Sequence, residues 1–424
     1  MKKRFPAFIE KISHTLHDEH FKVKHRMDKK HFTRKRKLGF AEICLLILKC
    51  SKHALHTAIR TFLDEAGLDD VSYSKPAFCK ARKKIKPSAF KELFQISAHF
   101  FYENGKIKTY NGYRIFAIDG SDFNLPNTPE LIEAFGSEEF HWGSQIGTQV
   151  QAQVSCLYDV LNHITVDAYM EPYHVSERKL AIRHIESLAA KKTDNDILLM
   201  DRGYPSEELL LKLEECGFYY VMRSNKKEFF KEIREVTADD AVVVRKTKTK
   251  DLRIRVITVQ LDNGTEETLL TNLMDQGIGI EDFKYIYSLR WGIETKYNDL
   301  KNKLEIENFS SISPICIMQD FYATLFLSNA VAYLEADNEK MLEKINASEQ
   351  NLYQYKVNIS NAVSVLKESV VELVVTESKR KRKRILNKIY RELNQCLTPE
   401  RRNRSFKRKR KCSCLRFPTN RKSC

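Results

Sequence analysis

Apolar positions along the chain change spacing several times, and each change predicts an element. Residues 1–105 keep helical spacing. Phe40 to Phe62 is one such stretch, and Ser72 to Phe94 reads as a turn, a short helix and a second helix with Pro87 in its first turn. Tyr110-Asn111-Gly112 breaks that pattern, and Tyr113 to Ile118 follows as a short apolar strand ending at Asp119. Asp122 to Gly147 reads as a loop containing His141 and Trp142. Gln149 to Leu157 alternates with period 2, a half-buried strand, and Asn162-His163 turns it into a partner at Ile164 to Met170. Ser176 is placed to cap a helix to about Lys191. Ile197 to Met200 is a fully apolar strand ending at Asp201-Arg202-Gly203-Tyr204. A helix (Ser206 to Cys216) and a strand (Phe218 to Met222) follow.

Residues 224–280 then interrupt the alternation. Ala241 to Lys246, Leu252 to Leu261 and Glu267 to Asn272 read as strands joined by turns. Glu281 to Phe309 has no proline and one glycine, Gly292, and reads as one helix. At 100° per residue, Ile286, Leu289, Ile293, Leu300 and Leu304 share an apolar stripe. Tyr287, Arg290, Glu294 and Lys301 share a second stripe beside it. Pro314 to Leu334 is another apolar helix, and the chain beyond it is helical and increasingly basic. The runs Lys379 to Arg384 and Lys407 to Lys411 read as solvated or disordered without a partner.

The second stripe has two readings. It is a salt-bridged helix face, or it is a carboxylate flanked by cations at the edge of a buried surface. Its spacing, Tyr-x2-Arg-x3-Glu-x6-Lys, resembles the third-carboxylate signature of the bacterial insertion-sequence DDE transposases of the YREK (IS-four) group. That resemblance requires two aspartates upstream, each at a strand end. Asp119 and Asp201 stand there, separated by 82 residues, and Glu294 follows 93 residues later. A lone aspartate after a strand is ordinarily a turn or cap residue. Two in this order suit a site, because chemistry in open α/β sheets collects at the carboxyl ends of strands.

The resemblance implies an α/β fold: a ribonuclease-H-like catalytic core with a β-rich insertion, flanked by helical N- and C-terminal regions. It divides the chain into a DNA-binding helical region (1–105), a catalytic domain (106–335, insertion about 224–280) and a strongly basic C-terminal region (336–424). It implies Asp119, Asp201 and Glu294 as ligands of Mg2+, with Mn2+ able to substitute. Tyr287, Arg290 and Lys301 then hold phosphates, and Arg202 belongs to a family-like Asp-Arg-Gly-Tyr motif. Hairpin-forming relatives stack a flipped base on a tryptophan of the insertion. The two tryptophans here, Trp142 and Trp291, lie elsewhere. Trp291, next to the motif arginine, either stacks a base or packs against the insertion.

Charge adds where the partner binds. The formal net charge is +16 over 424 residues. Residues 1–40 hold 13 Lys/Arg against 4 Asp/Glu, and residues 379–424 hold 19 against 2, so the middle of the chain is net acidic, at −10. A polyanion meeting basic termini follows, against a second reading of solubilising charge runs. A helix-turn-helix reader around Ala81-Arg82-Lys83-Lys84 and a plain helical lobe fit equally well. Ten scattered cysteines contain no Cys-x2-Cys pair, and Cys412-x-Cys414 is too little for zinc. No signal peptide or uncharged apolar run of membrane length is apparent, which places the chain in the cytoplasm, on the nucleoid.

Three carboxylates on separate elements suit two oxygen-liking divalent ions and an in-line displacement at phosphorus. No Ser-His-Asp or Cys-His arrangement is apparent. The function that the resemblance implies is DNA transposition. Cleavage at insertion-sequence ends is followed by joining to target DNA, on double-stranded terminal inverted repeats held by a homodimer in a synaptic complex, with no membrane partner. A metal-dependent nuclease without strand transfer and a non-catalytic DNA-binding derivative are the alternatives.

Overall fold

In a computed structural model, which describes residues 3–142, 145–190, 195–225, 229–261, 264–348 and 351–400, the N-terminal part is helical. It comprises α1 (Arg4–His17), α2 (Glu19–His25), α3 (Phe40–Leu48), α4 (Leu55–Glu65), α5 (Lys75–Arg82) and α6 (Pro87–Glu103). Next come β1 (Arg114–Asn124), α7 (Pro129–Phe135), β2 (Ser137–Trp142), β3 (Gln145–Asp159), β4 (Ile164–Pro172) and α8 (Glu177–Ala189). They are followed by β5 (Asp196–Met200), α9 (Glu207–Glu215), β6 (Tyr219–Ser224), α10 (Lys231–Arg234), β7 (Asp240–Arg245), β8 (Leu252–Gln260) and β9 (Glu266–Thr271). The remainder is α11 (Ile280–Ser288), α12 (Trp291–Asn302), α13 (Pro314–Asn346), β10 (Gln354–Val357), α14 (Ile359–Val375), α15 (Lys379–Gln395) and β11 (Leu397–Glu400).

The chain forms two compact units. One holds residues 1–106, 123–152 and 298–424, and the other holds 107–122 and 153–297. In the second unit the strands order β4-β3-β1-β5-β6-β9-β8-β7. β1, β5 and β6 run parallel, and β6, β9, β8 and β7 alternate antiparallel. This is the mixed sheet of a ribonuclease-H-like core. The strands read as an insertion extend that same sheet at its β6 edge rather than standing apart. The parallel register is pinned by Arg114, which donates from Nε (2.7 Å) and Nη2 (2.6 Å) to the two carboxylate oxygens of its strand partner Asp196. Both side chains are buried.

In the first unit α13 is the central helix and packs against α6, α3, α1 and α14. It is long and apolar enough to cross a membrane, with a mean hydropathy of 1.3 over its most apolar window, although the sequence pattern suggested no such stretch. That window is 83% buried inside the protein, so α13 is a core helix. Its Asp337 accepts from the backbone N–H groups of Arg4 (2.6 Å) and Phe5 (2.9 Å) and from the Tyr390 hydroxyl (2.7 Å). One carboxylate thus caps α1 and ties α15 to it.

Three expectations change. The loop over 122–147 contains a helix, α7, and a strand, β2, paired with the first half of β3. Thr128 caps α7, and Pro129 starts it. The basic run 379–384 is helical rather than disordered. Ser378 caps α15, whose other face buries Leu386, Ile389, Tyr390 and Leu393. The single helix over 281–309 is two helices. At Leu289 and Arg290 the backbone bonds tighten to three-residue spacing: Arg290 N–H to Tyr287 C=O (3.0 Å) and Ile293 N–H to Arg290 C=O (3.1 Å). α12 then stops at Asn302, and Glu305 turns left-handed at φ +52°. The second basic run, Lys407 to Lys411, and Cys412-x-Cys414 lie outside the described residues.

Candidate active site

The register of the parallel strands sets the first two carboxylates side by side. Arg114 pairs with Asp196 and Ala117 with Leu199, an offset of 82 residues. Asp119 and Asp201 have the same offset, so the register of β1 and β5, neighbours about 5 Å apart, carried two residues past its last pair brings them level, with Asp201 just beyond the end of β5. β1 continues through Asp119 to Asn124, so this aspartate is inside a strand rather than after one. Gly120, next in the strand, donates its N–H to Asp119 Oδ1 (3.0 Å). Asp201 closes its own turn by accepting from the Gly203 N–H (2.7 Å). Arg178 donates to the Gly203 carbonyl at 2.9 Å, while Arg202 points out exposed.

A further carboxylate joins them. Glu177 is the first residue of α8, where the helix dipole favours an anion. It accepts from Gln153 Nε2 (3.2 Å), and the buried Tyr204 hydroxyl faces it. A Cβ at position 120 would collide with the Glu177 carboxyl and the Gln153 amide, so glycine there lets Glu177 approach the strand beside Asp119. Burial pushes the Asp119 carboxyl up to about 7. The Arg290 guanidinium and the Gly120 N–H pull against that shift, and the charges of Asp201 and Glu177 add to it. Burial, then the Asp201 charge, also raises Glu177. Sequence reading passed over Glu177, because a glutamate after a capping serine is an ordinary helix start.

Glu294 lies in the first turn of α12. Its Oε1 accepts from Arg290 Nη2 at 2.8 Å. The Arg290 guanidinium is buried and lies over the rings of Tyr287 (5.7 Å) and Trp291 (5.2 Å), and it also acts on Asp119. Tyr287, Arg290, Trp291 and Glu294 therefore form one cluster, with Trp291 56% exposed at its rim. Within it Arg290 Nε and the Tyr287 hydroxyl are buried without a hydrogen-bond partner among the described residues. Lys301 belongs to the first unit, where it lies 3.7 Å from Glu307 and 4.9 Å from the centre of the Phe123 ring.

The helix of Glu294 is fastened to the strand of Asp119. Tyr297, one turn beyond Glu294, donates its hydroxyl to the Asp119 carbonyl at 2.8 Å. Ser155 donates to the same carbonyl at 3.4 Å, His184 Nε2 lies 3.1 Å from Ser155, and Asp167 lies 3.0 Å from His184 Nδ1. A Ser-His-Asp arrangement is thus present after all. All three are buried and the serine bonds to backbone, so it supports the strand and offers no nucleophile to a substrate.

The donors are all oxygen, which suits a hard divalent ion such as Mg2+ or Mn2+. Among the described residues no three ligand-type side chains already form a closed set, and the positive charge set among these carboxylates is the Arg290 guanidinium.

Residues 110–330, just over half of the chain, match the family model described as the transposase DDE domain. The chain belongs to that family. This is the family that the Tyr-Arg-Glu-Lys spacing implied. The transposase InsG for insertion sequence element IS4 of Escherichia coli strain K12 is 26% identical to this DDE-family chain over 275 residues. That match covers 61% of this chain and 60% of InsG. The putative transposase InsZ of the same organism is 34% identical over 154 residues, 36% of this chain and 49% of InsZ. The chain thus spans about three fifths of the length of InsG and about half that of InsZ. Among solved structures, the piggyBac transposase synaptic complex with hairpin DNA superposes with a TM-score of 0.45 and 10% identity, over 92% of this chain and 82% of that one.

Proposed function

We propose that this DDE-family chain is a DNA transposase that cuts at the ends of an insertion sequence and joins them to target DNA. The reading is carried by the charges that act on Asp119: Asp201, at the same 82-residue offset as the paired strands, and Arg290, which also holds Glu294. In this reading Asp119, Asp201 and Glu294 hold two divalent ions, with Mg2+ the natural occupant and Mn2+ a substitute. Such ions supply activation of a water or 3′-hydroxyl and stabilisation of the leaving oxygen at phosphorus. Arg290 Nε and the Tyr287 hydroxyl are buried donors without a hydrogen-bond partner among the described residues, and a phosphate oxygen reaching them would satisfy both. In this reading Trp291 at the rim stacks a base, and exposed Arg202 and half-buried Lys301 meet backbone phosphates. The catalytic domain is assigned to residues 106–335, between a DNA-binding N-terminal region and a basic C-terminal region. Two copies are expected to bring two double-stranded ends together, on the nucleoid.

Asp119→Asn, Asp201→Asn and Glu294→Gln each remove a ligand and one charge with little change of shape. Each is expected to abolish Mg2+-dependent cleavage of end-containing duplex DNA while leaving binding near wild type. Substantial cleavage by any of the three would remove that residue from the site. Cleavage without joining in a strand-transfer assay would favour a nuclease instead.

A further inference from the structure

The first unit carries a cationic cleft that shares no residue with the carboxylate cluster. It is a cavity of about 920 Å3 between the segment linking α2 to α3 and the start and outer face of α5. Arg34, Lys35, Arg36 and Lys37 line it from the segment, Lys80 and Lys84 from the α5 side. An adjoining cavity of about 490 Å3 shares Arg34, Arg36 and Lys84 and adds Lys29 and Lys30. Neither lining contains an Asp or Glu among the described residues.

The cleft is held in shape by the protein itself. Arg26 and Ile85 form a β-bridge, Met27 N–H donates to Lys84 C=O (2.8 Å), and Lys86 N–H donates to His25 C=O (2.8 Å). At the other end Lys37 Nζ donates to Ser72 C=O (3.0 Å). Between them Phe32, held at φ +56°, packs edge-on against Phe40 at 5.4 Å. α5 is fixed from behind. Phe78 and Arg82 are buried, and Arg82 donates to Asp320 Oδ1 (2.7 Å), Gln319 Oε1 (2.7 Å) and Cys316 C=O (2.8 Å). Ala77, Lys80 and Ala81 form the opposite face, a lysine flanked by two small residues, with Lys84 just past the helix end.

Like charges gathered in a fixed cleft repel one another unless a polyanion sits there. The space exceeds that of a lone phosphate, and a helix face of small residues with cations beside them suits a groove flanked by phosphates. We infer that α5 is the N-terminal helix that meets duplex DNA, with the segment 26–39 gripping the adjacent backbone phosphates. The inference rests on the DNA reading above but not on its chemistry.

The test uses the full chain and a labelled mixed-sequence duplex of about 30 base pairs, long enough to extend beyond one protein's contacts, with anisotropy followed across a salt titration. Lys80→Ala/Lys84→Ala and Arg34→Ala/Arg36→Ala are each expected to flatten the log–log salt slope by about 2 and raise Kd roughly tenfold. Ala81→Glu, which puts a carboxylate in the middle of the face, is expected to raise Kd more. Lys340→Ala/Lys344→Ala, on exposed positions of α13, serves as the control pair, with melting curves recorded for every variant. If the cleft variants match the control, or weaken binding only to a single strand of the same length, the inference falls. Normal binding by the cleft variants alongside wild-type cleavage would sink this inference and spare the proposed function. Weakened binding by a wild-type-like fold, with no cleavage by the wild type, would do the reverse.

Discussion

At Asp119 burial and charge are most at odds. Its carboxyl is pushed up to about 7, above the ordinary aspartate value of about 3.8, chiefly by burial. Between those values the folded chain holds a proton that the unfolded chain has released, so this residue's contribution to stability falls as pH rises through that window and is most unfavourable above about 7. Asp119→Asn is therefore expected to raise the melting temperature of metal-free protein at pH values above 7, with the gain shrinking toward zero at acid pH. Melting curves in chelator across that range check it, and an equal gain at both ends would contradict it. Tyr297 makes the second residue-scale case. An aromatic at helical spacing reads as core, and nothing in the sequence says that its hydroxyl reaches the Asp119 carbonyl. Tyr297→Phe keeps the packing and removes one buried hydrogen bond, worth about 1 kcal/mol. If that bond sets the distance from Glu294 to Asp119, the cleavage rate should drop by more than this loss of stability explains, with DNA affinity unchanged.

At the scale of elements, what could be read in advance was whatever a period or a strand end announces. The apolar run Ile197 to Met200 and the alternation after Gln149 predicted strands that are present, and so did the three strands before α11. The break between α11 and α12 was not legible, because Leu289 and Arg290 are good helix formers and only their tightened backbone bonds divide the helix. Glu177 and the Ser155-His184-Asp167 chain were hidden for another reason: their meaning depends on which strands lie side by side. Strand register carries that information, and Arg114 with Asp196 sets it. Arg114→Ala would leave the Asp196 carboxylate buried with its main charge partner gone, a loss of about 3–5 kcal/mol. Unfolding in denaturant should report that loss. A change under about 1 kcal/mol, the range of surface pairs, would mean that packing alone fixes the register.

At the scale of the whole molecule, charge is distributed against the chemistry. The carboxylates of the candidate site need cations of their own, while DNA needs a positive surface, and the sequence keeps the two apart: the central part is net acidic and both terminal stretches are strongly basic. Residues 401–424 alone hold eleven Lys/Arg and no Asp/Glu. Charges in such a run act by releasing counterions from DNA, which is indifferent to base sequence and steeply dependent on salt, about 0.9 in log–log slope per phosphate neutralised. A chain ending at Glu400 should consequently bind every duplex more weakly and with a flatter salt dependence. Its cleavage rate at saturating DNA should stay near that of the full chain, because no residue of the Asp119–Asp201–Glu294 cluster is removed. Arg290→Ala should show the opposite pattern: a small change in slope and a large fall in rate, since Arg290 neutralises Glu294 and Asp119 from within the site. Measuring both variants across a salt series and at saturation separates the two kinds of cation. Equal losses of rate would show that the terminal run takes part in assembling the reacting complex rather than only in holding DNA.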